Sequence, residues 1–227
     1  MKAHRNILFL SFFSGLISLL FVIVLPQSTK GFQISLAFMG SSFISFLLEL
    51  PNFISLRKEN FNRLYYSLYD IKANTSILKM NVNGALNSNI VTDKFYDQIV
   101  QNISNSTNNL RGFDPNYYLS KRRNAVISGT INSICNAFNN VNQSSLKYTT
   151  NYYHRRLDNN INEGQDRNIT PNEMVEELTS ILDNSEVLIN LVNTHAQHIF
   201  SKTQYKFWLI DDAIITNTNN NFKLTKK

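Results

Sequence analysis

Between Arg5 and Glu49 the chain carries a single charged residue, Lys30. Two apolar runs fill that interval. Ile7 to Leu25 reads ILFLSFFSGLISLLFVIVL, 19 residues whose only polar members are Ser11, Ser14 and Ser18. As a helix it measures about 28 Å at 1.5 Å per residue, close to the roughly 30 Å hydrocarbon core of a bilayer. Phe32 to Leu50, FQISLAFMGSSFISFLLEL, has the same length but is diluted by Gln33 and four serines. Pro26 to Gly31 is a tight polar turn between them. In hydrocarbon every backbone polar group needs an internal partner, so both runs are expected to be helices, and the pair a helical hairpin.

A cleaved signal peptide is the competing reading of the first run, with Lys2 and Arg5 as its positive flank. The apolar stretch exceeds the usual 7–15 residues, and Pro26-Gln27-Ser28 is a poor small-x-small cleavage site. An uncleaved anchor is therefore expected. Orientation follows from Lys and Arg in short flanks. Lys2, Arg5 and the α-amino group precede the first span, Lys30 alone lies in the turn, and Arg57, Lys58 and Arg63 follow the second. Both termini are expected in the cytoplasm. Basic residues just beyond a span also attract anionic lipid, but ordinary topology determination is the simpler reading.

Composition narrows the rest. The 227 residues have a mean hydropathy of −0.21, which conceals the contrast between this front and the charged remainder. Many-span transporters are excluded for want of further spans. A disulfide-stapled secreted domain is excluded because Cys135 is the only cysteine. Asparagine supplies 33 residues, a bias read as that of an AT-rich gene, and it makes glycosylation-like triplets expected by chance.

Small residues mark a stripe on each span. Ala37, Ser41, Ser45 and Glu49 are spaced by four, and Ser11, Gly15 and Ser18 lie along the first helix with Ser14 beside them. Such stripes let helix backbones approach closely in lipid. They serve packing within one hairpin, or a serine-lined face that meets other copies and lines a pore. Glu49 is a functional candidate as a carboxylate in a span. Its place beside Pro51 also fits plain interfacial exposure.

The expected fold is all-α: a transmembrane hairpin in residues 1–51 (spans 7–25 and 32–50), a cytoplasmic helical bundle in 52–215, and a polar tail in 216–227. Pro26 and Pro51 are read as closing the spans, Pro115 and Pro171 as opening later helices. Phe61, Leu64, Tyr65, Leu68 and Ile71 recur at helical spacing. A second helix is expected over 86–103, followed by a polar break at 105–109. Asp114-Pro115 is a cap signal for a helix with Tyr118, Ala125, Ile134, Phe138 and Val141 inward. Leu146, Tyr153, Leu157 and Ile161 continue it or form another. Thr170-Pro171-Asn172-Glu173 reads as a capping box for a long helix bearing Met174, Leu178, Ile181, Leu182, Leu188, Val192, His195 and Ile199 on one stripe. Residues 205–215 fit helix or strand.

Little here resembles catalytic machinery. His195 and His198 stand three apart without the carboxylates or cysteines of a metal site. Cys135 lies on an apolar helix face. No Gly-rich phosphate loop or nucleophile elbow occurs, and Asp211-Asp212 reads as a solvated pair. No enzyme, metal or cofactor is expected. Lys121-Arg122-Arg123 and Arg155-Arg156, each near paired tyrosines, are the candidate contacts for a partner or nucleic acid, since phosphates take charge and bases stack on aromatics. Charge clusters on helices are more usually solvated faces or partner contacts.

A short N-terminal helical hairpin joined to a helical soluble part, without a catalytic constellation, resembles the two-span membrane effectors of bacterial anti-phage systems. The opening MKAHRNILFLSFFSGLISLLFVIVLPQSTKGF is similar to the transmembrane effector encoded beside a retron reverse transcriptase in enteric bacteria. That resemblance implies an effector held silent by the reverse transcriptase and its multicopy single-stranded DNA. The complex is implied to guard a host recombination-repair nuclease. Release of the effector would permeabilise the inner membrane and abort infection. Two spans cannot enclose a pore alone, so the active form is expected to be a homo-oligomer in the lipid bilayer. A membrane-anchored scaffold or receptor with no permeabilising activity is the alternative.

Overall fold

The computed structural model describes residues 2–88, 90–91, 94–113, 121–158, 167–168 and 174–209. The fold is all-α, as the periodicity predicts. Its long helices are α1 (Lys2–Val24), α2 (Lys30–Ser88), α3 (Lys94–Arg111), α4 (Lys121–Asp158) and α5 (Val175–Ile199). Residues 202–209 are helical as well. The one β pairing among the described residues joins Ile90 to Asn168 and Val91 to Arg167, antiparallel. The chain divides into two compact units. One comprises Met1–Arg63 and Asp114–Asn124, the other Leu64–Phe113 and Ala125–Lys227.

In the first unit α1 and the front of α2 pack antiparallel. His4 Nδ1 meets Glu49 Oε1, Phe12 lies 6.0 Å from Phe46 between ring centroids, and Ser14 Oγ is 2.8 Å from Ser42 Oγ. Partner numbers fall on α2 as they rise on α1, the signature of opposed helices. Thr29 sets the start of α2. Its Oγ1 accepts from the Phe32 amide at 3.2 Å and donates to the Pro26 carbonyl at 2.7 Å. This threonine cap starts the helix at Lys30, two residues before the apolar run. Pro51 does not close the second helix. It lies inside α2, which runs 59 residues from Lys30 to Ser88. Proline deprives the Leu47 carbonyl of its helical donor, a local cost of about 3 kcal/mol. Apolar and amphipathic helix on either side of it outweighs that cost.

In the second unit the buried positions follow a heptad rhythm. On α2 the rhythm runs through Leu64, Leu68, Ile71, Thr75, Leu78 and Val82; on α4, through Ile127, Ile131, Ile134, Phe138, Val141, Ser145 and Tyr148. Alternating steps of 4 and 3 keep one seam facing inward along a helix. On α5 the seam is Leu178, Ile181, Ser185, Leu188, Val192, Ala196 and Ile199. α2 and α5 are antiparallel and in register: Tyr65 meets Phe200 and Lys79 pairs with Glu186, 14 residues apart on both strands of the count. α4 also opposes α5, through Thr130 with His195 and Asn151 with Glu177.

Several sequence expectations shift. The helix expected over 86–103 is divided between α2 and α3, because the β-branched Ile90 and Val91 take extended backbone and pair as a strand. Residues 105–109 are not a break. They lie inside α3, where Thr107 is buried and returns its hydroxyl to the Ile103 carbonyl at 2.8 Å. The helix ends at Arg111, and the Gly112 amide after it reaches the Asn108 carbonyl at 3.3 Å. The stretches around Ile134 and Leu146 belong to one helix, but Ala125, Leu146 and Tyr153 face outward because they fall off the 4–3 seam. Asp114-Pro115, Tyr118, Ile161, Thr170–Glu173 and Asp211-Asp212 lie outside the described residues. α5 itself begins at Val175, and Met174 before it supplies no side-chain cap.

Candidate membrane-inserting helices and partner surface

Two helices are long and apolar enough to cross a membrane, Ala3–Val24 and the apolar front of α2, and only 6% of each apolar window is buried. The apolar residues of a soluble core helix are mostly covered, whereas these are not covered within the chain. Phe9, Leu10, Phe13, Ile17, Leu20 and Ile23 on α1 and Ile34, Phe38, Ile44 and Leu48 on α2 are all exposed. Water would solvate this apolar surface at a cost of about 25 cal/mol per Å², whereas hydrocarbon would not.

Three serines on these helices, Ser14, Ser41 and Ser42, have their hydroxyls bonded within the chain. Ser14 Oγ is 3.2 Å from the Ser11 carbonyl as well as 2.8 Å from Ser42 Oγ, and Ser41 Oγ donates to the Ala37 carbonyl at 2.9 Å. Hydroxyls bonded in this way can enter hydrocarbon without leaving a donor stranded. Gly15 brings the backbones together: a Cβ there would sit 3.5 Å from Ser42 Cβ. Gly40 has open space, and a Cβ on it would meet nothing within 4 Å. Beside this contact lies a cavity of about 460 Å³, lined by Phe12, Gly15, Leu16, Met39, Gly40 and Phe43 among others.

The two small-residue stripes sit differently. Ser11, Gly15 and Ser18 are half-buried. Ala37, Ser41 and Ser45 are exposed, because the face of α2 turned to α1 carries Met39, Ser42 and Phe46 instead. Glu49 is half-buried on His4. His4 carries no signal in the sequence beyond lying beside the first span. Ser42 was visible only as one of two adjacent serines, and a one-residue change of register is what separates inside from outside.

Of the basic candidates, Arg122 and Arg123 are exposed on the first turn of α4. Lys121, Arg155 and Arg156 belong to the same helix, but their side chains lie outside the described residues. Cys135 is buried. His195 and His198 do not converge on a common point: His198 is exposed, and His195 turns its Nδ1 to Thr130 Oγ1 at 3.1 Å while its buried Nε2 has no hydrogen-bond partner. Burial first, and the neighbouring His198 second, hold the His195 imidazole below its ordinary value of 6.5. Asp70 is shifted upward from 3.8 by burial. No group of three or more His, Cys, Asp or Glu that could hold a metal occurs among the described residues.

Sequence reasoning passed over an aromatic cluster. Trp208 is 2% exposed and meets Tyr65 at 5.8 Å, Phe200 at 5.7 Å and Tyr69 at 6.5 Å between centroids. The Lys72 ammonium, on a residue only 4% exposed, sits 5.4 Å from the indole centroid. The only signals in the sequence are a lysine next to the apolar stripe of α2 and a single tryptophan, and neither points to the other. No protein-family model, curated protein or solved structure matches the chain.

Proposed function

We propose that the protein is a membrane-disrupting effector of a retron-type anti-phage system. In this reading α1 and the front of α2 form a transmembrane hairpin in the bacterial inner membrane, with both termini and the helical unit in the cytoplasm. A reverse transcriptase and its multicopy single-stranded DNA keep it silent, and their complex links it to a host recombination-repair nuclease. Released copies assemble in the bilayer and permeabilise it, aborting the infection.

The observation that carries the reading is the exposed apolar surface of two span-length helices, on which the hydroxyls of Ser14, Ser41 and Ser42 are internally bonded. Such surface is stable in lipid and costly in water. Two helices enclose no channel, so permeabilisation requires several copies. The outward Ala37, Ser41 and Ser45 supply a face where other copies approach closely. Arg122 and Arg123, with Lys121, Arg155 and Arg156 on the same helix, supply cationic sites for the inhibitory complex. Induced expression without the partner is expected to collapse membrane potential in a voltage-dye assay. Retained polarisation with normal growth overturns the reading.

A membrane-anchored scaffold is the second reading, and the long α2 favours it, since one helix carries both an apolar front and a core seam of the other unit. It predicts membrane localisation without loss of potential.

A further inference from the structure

Residues 201–209 follow α5 through an extended Phe200, with φ −77° and ψ 148°. A capping box restarts the helix. The Ser201 amide donates to Gln204 Oε1 at 2.9 Å, and the Gln204 amide reaches Ser201 Oγ at 3.4 Å. This short helix has a lopsided attachment. Lys202, Thr203, Lys206, Phe207 and Leu209 are exposed, Gln204 and Tyr205 are half-buried, and Trp208 alone is buried. Its indole stands edge-on to Tyr65 and Tyr69 of α2 and receives the Lys72 ammonium on its face. Tyr65, Tyr69 and Lys72 step by 4 and 3, so they form one stripe of α2.

We propose that residues 201–209 are a detachable strap, clamped by Trp208 onto the Tyr65–Tyr69–Lys72 stripe of α2, and that its release is a conformational step separate from unfolding of the core. A segment that buries one large side chain among its described residues opens with a smaller free energy than a helix buried along a seam of seven residues, as α5 is. The cation on the indole strengthens the clamp, because desolvated ammonium–indole contacts are among the stronger ones of their kind. Docking also covers the Lys72 stem and the tyrosine rings, so release would present an aromatic, cationic stripe on α2. Under the effector reading, the strap is where an inhibitory partner could hold or free α2; the release step itself needs no such activity.

The single tryptophan makes the test direct. The full chain in detergent micelles is titrated with urea, following indole emission and acrylamide quenching alongside far-UV circular dichroism. The indole is expected to become exposed at lower urea than the main helical transition. Lys72→Gln should lower the docked-to-free ratio of the strap about 2- to 30-fold, moving the indole transition earlier while the helical midpoint stays. Coincident transitions in the parent protein overturn the proposal, as does a Lys72→Gln variant in which both transitions move together. Neither readout depends on membrane damage, so failure of the effector reading would show as retained membrane potential with these curves unchanged.

Discussion

Ser14 Oγ lies 2.8 Å from Ser42 Oγ, across the two apolar helices and at the same Ser42 that the neighbouring Gly15 approaches. A short polar bond at a glycine-narrowed crossing fixes the rotation of each helix about its axis. It therefore decides which residues of α2 face α1 and which face outward.

That rotation is open to cross-linking. In a Cys135→Ala background, which removes the only native cysteine, Ser14→Cys with Ser42→Cys should form an intramolecular disulfide under mild oxidation. Ser14→Cys with Ser41→Cys should not, because residue 41 points away from α1. Mobility on non-reducing gels distinguishes the two. Efficient closure of the second pair alone would mean that α2 is turned by about 100° from the arrangement described.

The same rotation separates two roles for serine. Ser41→Leu with Ser45→Leu adds bulk on an exposed face, so the isolated chain should keep its helicity and membrane partition. Assembly through that face should weaken, and the voltage-dye signal of an effector should be lost, whereas a scaffold would keep its membrane anchoring and partner recruitment. Ser42→Leu instead forces side chain into the α1 contact, where overpacking costs about 1–3 kcal/mol. It should loosen the helix pair itself, read as faster unfolding in denaturing detergent. Equal effects of the two replacements would contradict the inside–outside division.

Much of this was legible from the residues, for identifiable reasons. Apolar runs at 7–25 and 32–50 have one physical solution in lipid, so both helices follow from composition alone. Ile134, Phe138, Leu178, Leu188 and Val192 sit on seams whose spacing is visible in sequence, and all are buried. What failed was local. Pro51 reads as a terminator, but a proline ends a helix only where the flanking chain does not compensate. Ser41 and Ser42 are adjacent and chemically identical, so sequence alone cannot say which meets α1. The Trp208 clamp joins residues more than 130 positions apart, beyond the reach of any periodicity.

The seam makes opposite predictions for two apolar residues of α4. Ile134 has no exposure, whereas Leu146 is 64% exposed. Ile134→Ala should destabilise the helical unit by about 2–5 kcal/mol through lost burial and the cavity left behind. Leu146→Ala should fall within about 0.5 kcal/mol of the parent. Urea midpoints at constant slope measure both. A loss at Leu146 comparable to that at Ile134 would place position 146 on a covered face.

Acid sensitivity should arise at the α4–α5 contact. His195 is held below its ordinary 6.5, by burial and then by His198, so the unfolded chain takes up a proton there at a higher pH than the folded one. Wherever the unfolded state binds more protons, stability rises with pH. The His195 contribution is therefore intact above 6.5 and is lost as pH falls from 6.5 toward the lower folded value. In the imidazolium both ring nitrogens are N–H donors, so Nε2 carries a buried hydrogen with no acceptor and Nδ1 can only donate to Thr130 Oγ1. Asp70 acts with the opposite sign, since its upward shift from 3.8 makes the folded state the one that holds the proton longer. Comparing parent with His195→Gln isolates the histidine. Urea midpoints of the parent should drop between pH 7.5 and 5, and the drop should be smaller in the variant, whose side chain does not titrate. Identical pH profiles for the two proteins would show that the imidazole stays as accessible to protons in the folded chain as in the unfolded one.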